Sequence, residues 1–453
     1  MTIWSPRLPD SPGPIYARIA EALERDVRAG VLISGSQLPT HRDLARALGI
    51  TPVTVTRAYA EAARRGLVES ATGRGTFVRA PRPSPTLATR GAEIDLATNV
   101  VNIPLPLPSP SMLERAARTL AGATYAAGAG SERHRAAGAA WVAPLFPPAL
   151  GRTIDPSRVV VTAGTQHGIL LAFAASARAG ETILAESVTY HGAKAAAAML
   201  GIRLQPLPLD RFGILPDALA RACRGRGPKV LYTIPSLHNP TGIVVPEKRR
   251  REIAAVAAKH GLTIIEDDVC GFLLERTPPP IAAFAPERTI FLTGLGKALA
   301  PALRVGYVVG PASLLPRLHS ALAASVLFSS PLTAELAASW IEDGTAAKIV
   351  ELKRAEVALR NRTARRILPA AAGDARSGHL WMALPKRWTP DAFAEEARRR
   401  RVRVASATSF AVGDDVPRAV RICIGGAASV AELETALHVL AGIGEERIEG
   451  PVV

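Results

Sequence analysis

Lys297 sits in the stretch GLGKALAPAL, with no charged residue for several positions on either side. Most lysines are solvated surface groups. An amine held between a β-rich run and an apolar stretch is instead desolvated. Desolvation depresses its pKa, as a Schiff-base nucleophile requires. Gly296-Lys297 is not part of a nucleotide P-loop, because Ala298 follows the lysine and no Gly stands five residues before Gly296. Asp267 and Asp268 follow the β-rich run Thr263–Glu266. A carboxylate at the carboxyl end of a strand lies on the ligand-binding rim of an open α/β sheet. The plainer alternatives are a helix cap or a surface acid, and a metal pair lacks a neighbouring His. Gly164, Thr165 and Gln166 come after the run Val159–Thr162 and open a helical stretch. Free backbone N–H groups and the helix dipole favour a phosphate there, although such a turn can be only a turn. Asn239-Pro240-Thr241-Gly242 follows Val230–Ile234 and reads by composition as a turn.

The elements that must carry these residues alternate. Val159–Thr162, Thr182–Ala185, Val230–Ile234, Thr263–Glu266, Thr289–Thr293 and Arg304–Val309 are short β-rich runs, most of them separated by helical stretches. That rhythm predicts an α/β domain with a mainly parallel sheet covered on both faces. From about residue 312 the pattern becomes long helices, then a strand at His379–Leu384, a helix near Pro390–Arg400 and a strand at Arg418–Ile424, which indicates a small C-terminal α+β subdomain. Residues 81–93, which include PRPSPTLATRGA, have the composition of a linker. The domains are therefore expected at 1–80 and 94–453.

Residues 1–80 form a helical module by their punctuation. A first helix is expected over about Pro14–Ala29. A second is N-capped at Thr40 and stops at Gly49. A third starts at Thr51-Pro52, an N-cap followed by Pro at the first helical position. Val55, Tyr59 and Ala62 share one face of the third helix, and Thr54, Arg57 and Glu61 share another. The short joint around Gly49-Ile50 is helix-turn-helix spacing. Val68-Glu69, a turn at 71–74 and Gly75–Val78 make a hairpin, or wing, with Arg74 at its tip. Eleven Arg against seven acids over residues 1–80 make the module mildly basic. A helical bundle used for dimer contacts is the bland alternative to DNA binding.

Composition narrows the classes. The 453 residues are 48% hydrophobic, so the chain is globular. No apolar run is long enough for a membrane span, and no secretory signal is visible at Met1–Asp10. Cys223, Cys270 and Cys423 are far apart, which excludes a disulfide framework or a CxxC metal site and fits a reducing cytosol. The net charge of +16 favours a polyanionic partner, though the Arg-for-Lys bias reduces its weight.

LPTHRDLARALGITPVTVTRAYAEAARRGLVESATGRGTFV, within residues 14–79, resembles the winged helix of GntR-type transcription regulators. That resemblance implies binding to double-stranded DNA, with Arg42, Thr54, Arg57 and Arg74 as the contacts. Residues 95–445 resemble the fold-type I pyridoxal phosphate aminotransferases of class I/II. The resemblance implies pyridoxal 5'-phosphate as cofactor and no metal. Gly164, Thr165, Gln166 and Arg304 would hold its phosphate. Tyr190 would stack on the ring, Asn239 would hydrogen-bond its O3′, and Asp267 would pair with its nitrogen. Lys297 would form the Schiff base. Arg421, in AVRICIGG, would bind a substrate carboxylate, and Tyr125 would reach a partner subunit's phosphate in a homodimer. Two departures stand out. Cys270 replaces the family's tyrosine, and Gly294 and Gly296 replace hydroxyl residues before the lysine.

A GntR-type winged helix, a linker and an aminotransferase-like domain in this order resemble the MocR group of bacterial regulators. The implied function is a cytoplasmic, pyridoxal-phosphate-dependent transcription regulator that senses an amino compound, or the cofactor itself. An active aminotransferase acting on an amino acid is the alternative.

Overall fold

The structure, a computed structural model, describes residues 4–6, 8, 13–28, 32, 36–65, 67–71, 75–78, 93–122, 128–146, 154–225 and 227–445. Two compact units divide the chain: residues 1–90 with 104–107, and residues 91–103 with 108–453. Arg74, Tyr125 and nearly all of the expected linker lie outside the described residues.

In the first unit α1 spans Ile15–Arg28, α2 His41–Leu48 and α3 Pro52–Arg64. The Thr40 hydroxyl accepts from the Asp43 N–H at 3.2 Å, and Gly49 ends α2 in the left-handed region at φ 65°. Thr51 caps α3 by accepting from the Thr54 N–H at 3.3 Å, with Pro52 at the first helical position. Strands β1 (Val68–Ala71) and β2 (Gly75–Val78) pair antiparallel. Ile19, Leu23, Leu44, Val55, Tyr59, Ala62 and Val78 form the core of this unit. Val55, Tyr59 and Ala62 are thus buried, as their spacing requires. The buried Tyr59 hydroxyl donates to the Pro39 carbonyl at 2.9 Å.

The second unit begins with β3 (Ile94–Asp95). Its central sheet is built from β4 (Val159–Thr162), β5 (Thr182–Glu186), β6 (Arg203–Leu207), β9 (Val230–Thr233), β10 (Thr263–Asp267), β11 (Thr289–Gly294) and β12 (Gly306–Val309). A hairpin of β7 (Leu209–Asp210) and β8 (Gly213–Ile214) lies between β6 and β9 in sequence. The spatial order is β4-β12-β11-β10-β9-β5-β6, and only β12 runs against its neighbours. Alternate strand residues enter different clusters. Ile183, Tyr232, Ile265 and Leu292 pack with Ile169, Phe173 and Ala197, whereas Leu184, Leu231 and Ile264 pack with Leu219, Ile253 and Ala257. Both faces are therefore covered by helices, which is why the strands read as continuous apolar runs.

Two expectations need correction. Arg304 is not the start of a strand: it sits in left-handed backbone at φ 49°, and β12 begins at Gly306. The edge strand β6 was not expected. It contains Arg203, Gln205 and Pro206 and is largely unburied, so it lacks the apolar run that marks the inner strands. The C-terminal part holds β13 (His379–Ala383), β14 (Val402–Arg403), β15 (Ala405–Ser406) and β16 (Ala419–Cys423), in the antiparallel order β13-β16-β15 with β14 paired to β3. Helices Pro390–Arg399 and Val430–Glu445 pack here against the core around Leu380, Phe393, Val420 and Leu437.

Candidate functional site

Five parallel strand ends converge on one cavity of about 340 Å³. After β4 comes Gly164, the N-cap of helix Thr165–Ser176. After β5 comes Tyr190, and after β9 comes Asn239. Asp267 is the last residue of β10, and Lys297 stands in the turn Leu295–Ala298 behind β11. Arg304 and Arg421 also line it. Every site residue expected from the sequence in this unit lines the cavity, apart from Tyr125, which is outside the described residues. The carboxyl edge of an open α/β sheet is where strand ends splay and backbone groups are left unpaired.

Asp267 is buried, and its Oδ2 accepts from the Tyr232 hydroxyl at 2.7 Å. Its Oδ1 is buried with no partner. Burial pushes the Asp267 carboxyl up to about 7, so the site calls for a cationic N–H facing that oxygen. Burial also holds Lys297 below the usual lysine range. Arg421 is buried on β16, with Nη1 donating to Asn239 Oδ1 at 2.6 Å and the guanidinium carbon 4.7 Å from the centre of the Phe410 ring. Its Nε is buried and unpartnered. Arg304 donates to the Ala163 carbonyl at 3.2 Å. A side chain at Gly164 would lie 2.9 Å from Arg304 Nη2, so the glycine lets the guanidinium come against the turn. Gln166 spends its side-chain NH2 on the Gly192 carbonyl at 2.8 Å, which leaves its backbone N–H for an anion.

Gly294 and Cys270 have structural accounts, whereas at Gly296 nothing in the structure excludes a side chain. A Cβ at 294 would lie 2.1 Å from Thr165 Oγ1, so the Thr165 hydroxyl fills the space that a side chain at 294 would need. Cys270 is a buried thiol in the cavity wall, pushed up to about 12 by burial, so it is a neutral lining group and not a nucleophile.

Several groups at the site were not singled out from the sequence. Tyr232 is one, and a phenol inside an apolar strand was the available signal, since a buried hydroxyl needs a partner. His191 also lines the cavity, its imidazole kept neutral by burial and by Arg421 and Lys297. A third is the backbone of residues 97–99. The Lys297 amine donates to the Asn99 carbonyl, and Arg421 Nη2 donates to the Ala97 carbonyl. This strap is seated on the C-terminal sheet: Cys423 N–H donates to the Leu96 carbonyl and Asn102 N–H to the Gly425 carbonyl. A Cβ at Gly425 would lie 2.0 Å from the Val100 carbonyl, and one at Gly426 would lie 2.2 Å from the Asp95 carbonyl. The glycine pair is what lets the strap lie down.

In the first unit, Arg42 and Arg57 are exposed and carry no ion pair among the described residues, unlike Arg46, Arg64 and Arg65, which pair with Asp43 or Glu61. Thr54 is half-buried, with its hydroxyl 2.9 Å from that of Thr51. Glu61 is held down at about 2 by Arg64 and Arg65. No helix of the described residues is long and apolar enough to cross a membrane, and among them no group of His, Cys, Asp and Glu could hold a metal ion.

Residues 93–440 match the aminotransferase class I and II family, and residues 15–78 match the bacterial regulatory proteins of the gntR family. An uncharacterized HTH-type transcriptional regulator, YdeF of Bacillus subtilis, is 29% identical over 96% of each chain. The HTH-type pyridoxine biosynthesis transcriptional regulator PdxR of Corynebacterium glutamicum is 29% identical over 67% of each. Kynurenine aminotransferase of Pyrococcus horikoshii has the same fold over 80% of this chain and 93% of its own, at 20% identity and a TM-score of 0.70.

Proposed function

Because this chain belongs to the class I and II aminotransferase family and carries a gntR-family DNA-binding domain ahead of it, in the order of MocR-type regulators, we propose that it is a cytoplasmic transcription regulator that binds DNA under the control of pyridoxal phosphate and an amino compound. One observation carries this reading. Lys297, Asp267, Arg304 and Arg421 line a single cavity in a chain that also holds a winged helix.

The residues present fit pyridoxal phosphate. The unpartnered Asp267 Oδ1 suits a protonated ring nitrogen. The N-terminus of helix Thr165–Ser176, with Arg304 beside it, suits the phosphate. Asn239 suits the ring oxygen, and Tyr190 the ring face. When bound, pyridoxal phosphate supplies an aldehyde that condenses with amines and a ring that draws off electrons. Lys297 supplies the amine in its uncharged form. Arg421 receives a carboxylate through its fork of N–H groups, of which Nε is already desolvated and free. Lys297 and Arg421 then give up the carbonyls of Asn99 and Ala97. The strap loses two side-chain holds, and its chain continues back through residues 79–92 to the wing. Ligand and DNA are coupled to the extent that the ligand prefers one strap position. Arg42, Arg57 and Arg74 contact phosphates or bases, and the active form is a homodimer to which Tyr125 contributes.

A second reading takes the cofactor itself as effector. It is favoured by the relative named for control of pyridoxine biosynthesis. Fluorescence anisotropy on the chain's own upstream DNA, with and without pyridoxal phosphate and with amino acids added, separates the readings. A response to the cofactor alone supports the second, and a response that needs an amine supports the first. DNA binding no tighter than to random sequence, with keto acid formed from an amino acid, would replace both with an active aminotransferase.

A further inference from the structure

Lys353 lies on helix Thr345–Ile367 at the position where its apolar stripe of Ala346, Ile349, Val350 and Val357 calls for another apolar residue. It is 2% exposed. Lysines are almost never buried so fully without a carboxylate partner. Among the described residues Lys353 has none. Glu356, on its own helix, is committed to Arg360 at 2.6 Å, and Glu351 is exposed. Its side chain's hydrogen bond among the described residues runs from Nζ to the backbone carbonyl of Lys297, at 2.8 Å. The helix packs directly on the turn Leu295–Ala298 that carries Lys297.

We propose that Lys353 is a positioning residue for Lys297: it clamps the turn by its backbone carbonyl and sets an unneutralised cation behind the reactive amine, which favours the uncharged form of that amine. This rests on the reading of Lys297 as the cofactor-bearing lysine. One carboxyl shares the cavity with Lys297, Asp267, which burial pushes up to about 7 and which accepts from the Tyr232 hydroxyl. Cys270 and Cys423 are thiols pushed up by burial, Arg304 and Arg421 are cations, and His191 and His379 are held neutral by burial. Lys353 is itself held down, at about 8, by burial and by Lys297. The Lys353 amine is held at the Lys297 backbone and is lowered by the Lys297 charge, and like charges coupled in a dry site titrate as a pair, in which a charge on one disfavours a charge on the other.

The test uses the full-length protein and the variants Lys353→Gln, which keeps a donor without the charge, Lys353→Arg, which keeps the charge, and Lys353→Met. Two quantities are read. One is the pH midpoint of the absorbance change of bound pyridoxal phosphate. The other is the pH at which Lys297 of the cofactor-free protein becomes reactive to trinitrobenzenesulfonate, located by peptide mass spectrometry. Both midpoints are expected to rise by about one pH unit in Lys353→Gln, a roughly tenfold loss of free amine at neutral pH, and to stay near wild type in Lys353→Arg. Lys353→Met, which removes charge and donor together, should raise both midpoints as Lys353→Gln does. Unchanged midpoints in a folded Lys353→Gln protein overturn the proposal. A protein that takes up no pyridoxal phosphate overturns the reading of the cavity instead, and the trinitrophenylation profile still judges Lys353.

Discussion

At the scale of single residues, the site is set by groups that are buried and incompletely paired. Asp267 keeps one oxygen without a partner, in a place where its charge is costly. Folded, its carboxyl titrates at about 7, against 3.8 for the free side chain, with Asp268 and Glu186 adding to the upward push of burial. The folded state therefore holds a proton that the unfolded chain has released, and stability falls as pH rises through that window. Asp267→Asn removes the charge. Thermal melts of the cofactor-free variant should exceed wild type at pH 8, with the gain vanishing near pH 4, while its affinity for pyridoxal phosphate falls sharply. A gain that is the same at both pH values would show that the carboxyl is not raised. Gly294 gives a second case. Because the Thr165 hydroxyl fills its side-chain space, Gly294→Ser should cost about 1–3 kcal/mol in denaturant unfolding by overpacking. Adding Thr165→Ala should recover much of that loss, and strictly additive losses would refute the contact.

At the scale of elements, caps and seats decide what can move. The strap at residues 95–103 lies on Gly425 and Gly426 because no side chain there holds it off. Gly425→Ala should lift it without touching Lys297 or Arg421. The expected signs are faster amide exchange over residues 94–103 and a DNA affinity shifted, without ligand, toward that of the liganded protein. Unchanged exchange in a folded variant would mean that the strap is not seated as described. In the winged helix Arg42 and Arg57, exposed and without an ion pair among the described residues, separate themselves from the arginines spent on Glu61 and Asp43. Changing either one to Ala should lower the slope of log affinity against log salt by about one. Arg46→Ala, whose partner Asp43 already neutralises it, should change the slope less.

For the whole molecule, the proposed sensing depends on one amine. Lys297→Ala should still bind the upstream DNA, since residues 1–78 are intact, but its affinity should no longer respond to pyridoxal phosphate or to amino acids. A retained response in anisotropy titrations would place the sensor elsewhere in the chain. The sequence alone determined what depends on near neighbours. The caps at Thr40 and Thr51, the inner strands, and the order of Gly164, Asn239, Asp267 and Lys297 along successive strand ends could all be read, because a cap, a fully buried strand and a strand-end turn are each specified within a few residues. The edge strand β6 escaped because a strand with one bare side needs no apolar run. Only the tertiary structure decided the rest. Arg421 meets Asn239 across 182 positions, Thr165 fills the space at Gly294, the strap takes the donors of Lys297 and Arg421, and Lys353 stands behind Lys297. Those contacts arise from the packing of distant segments, and close packing leaves no trace in local spacing. At Lys353 the one local sign was a charge on an apolar stripe, which shows that a partner is needed but not which group it is.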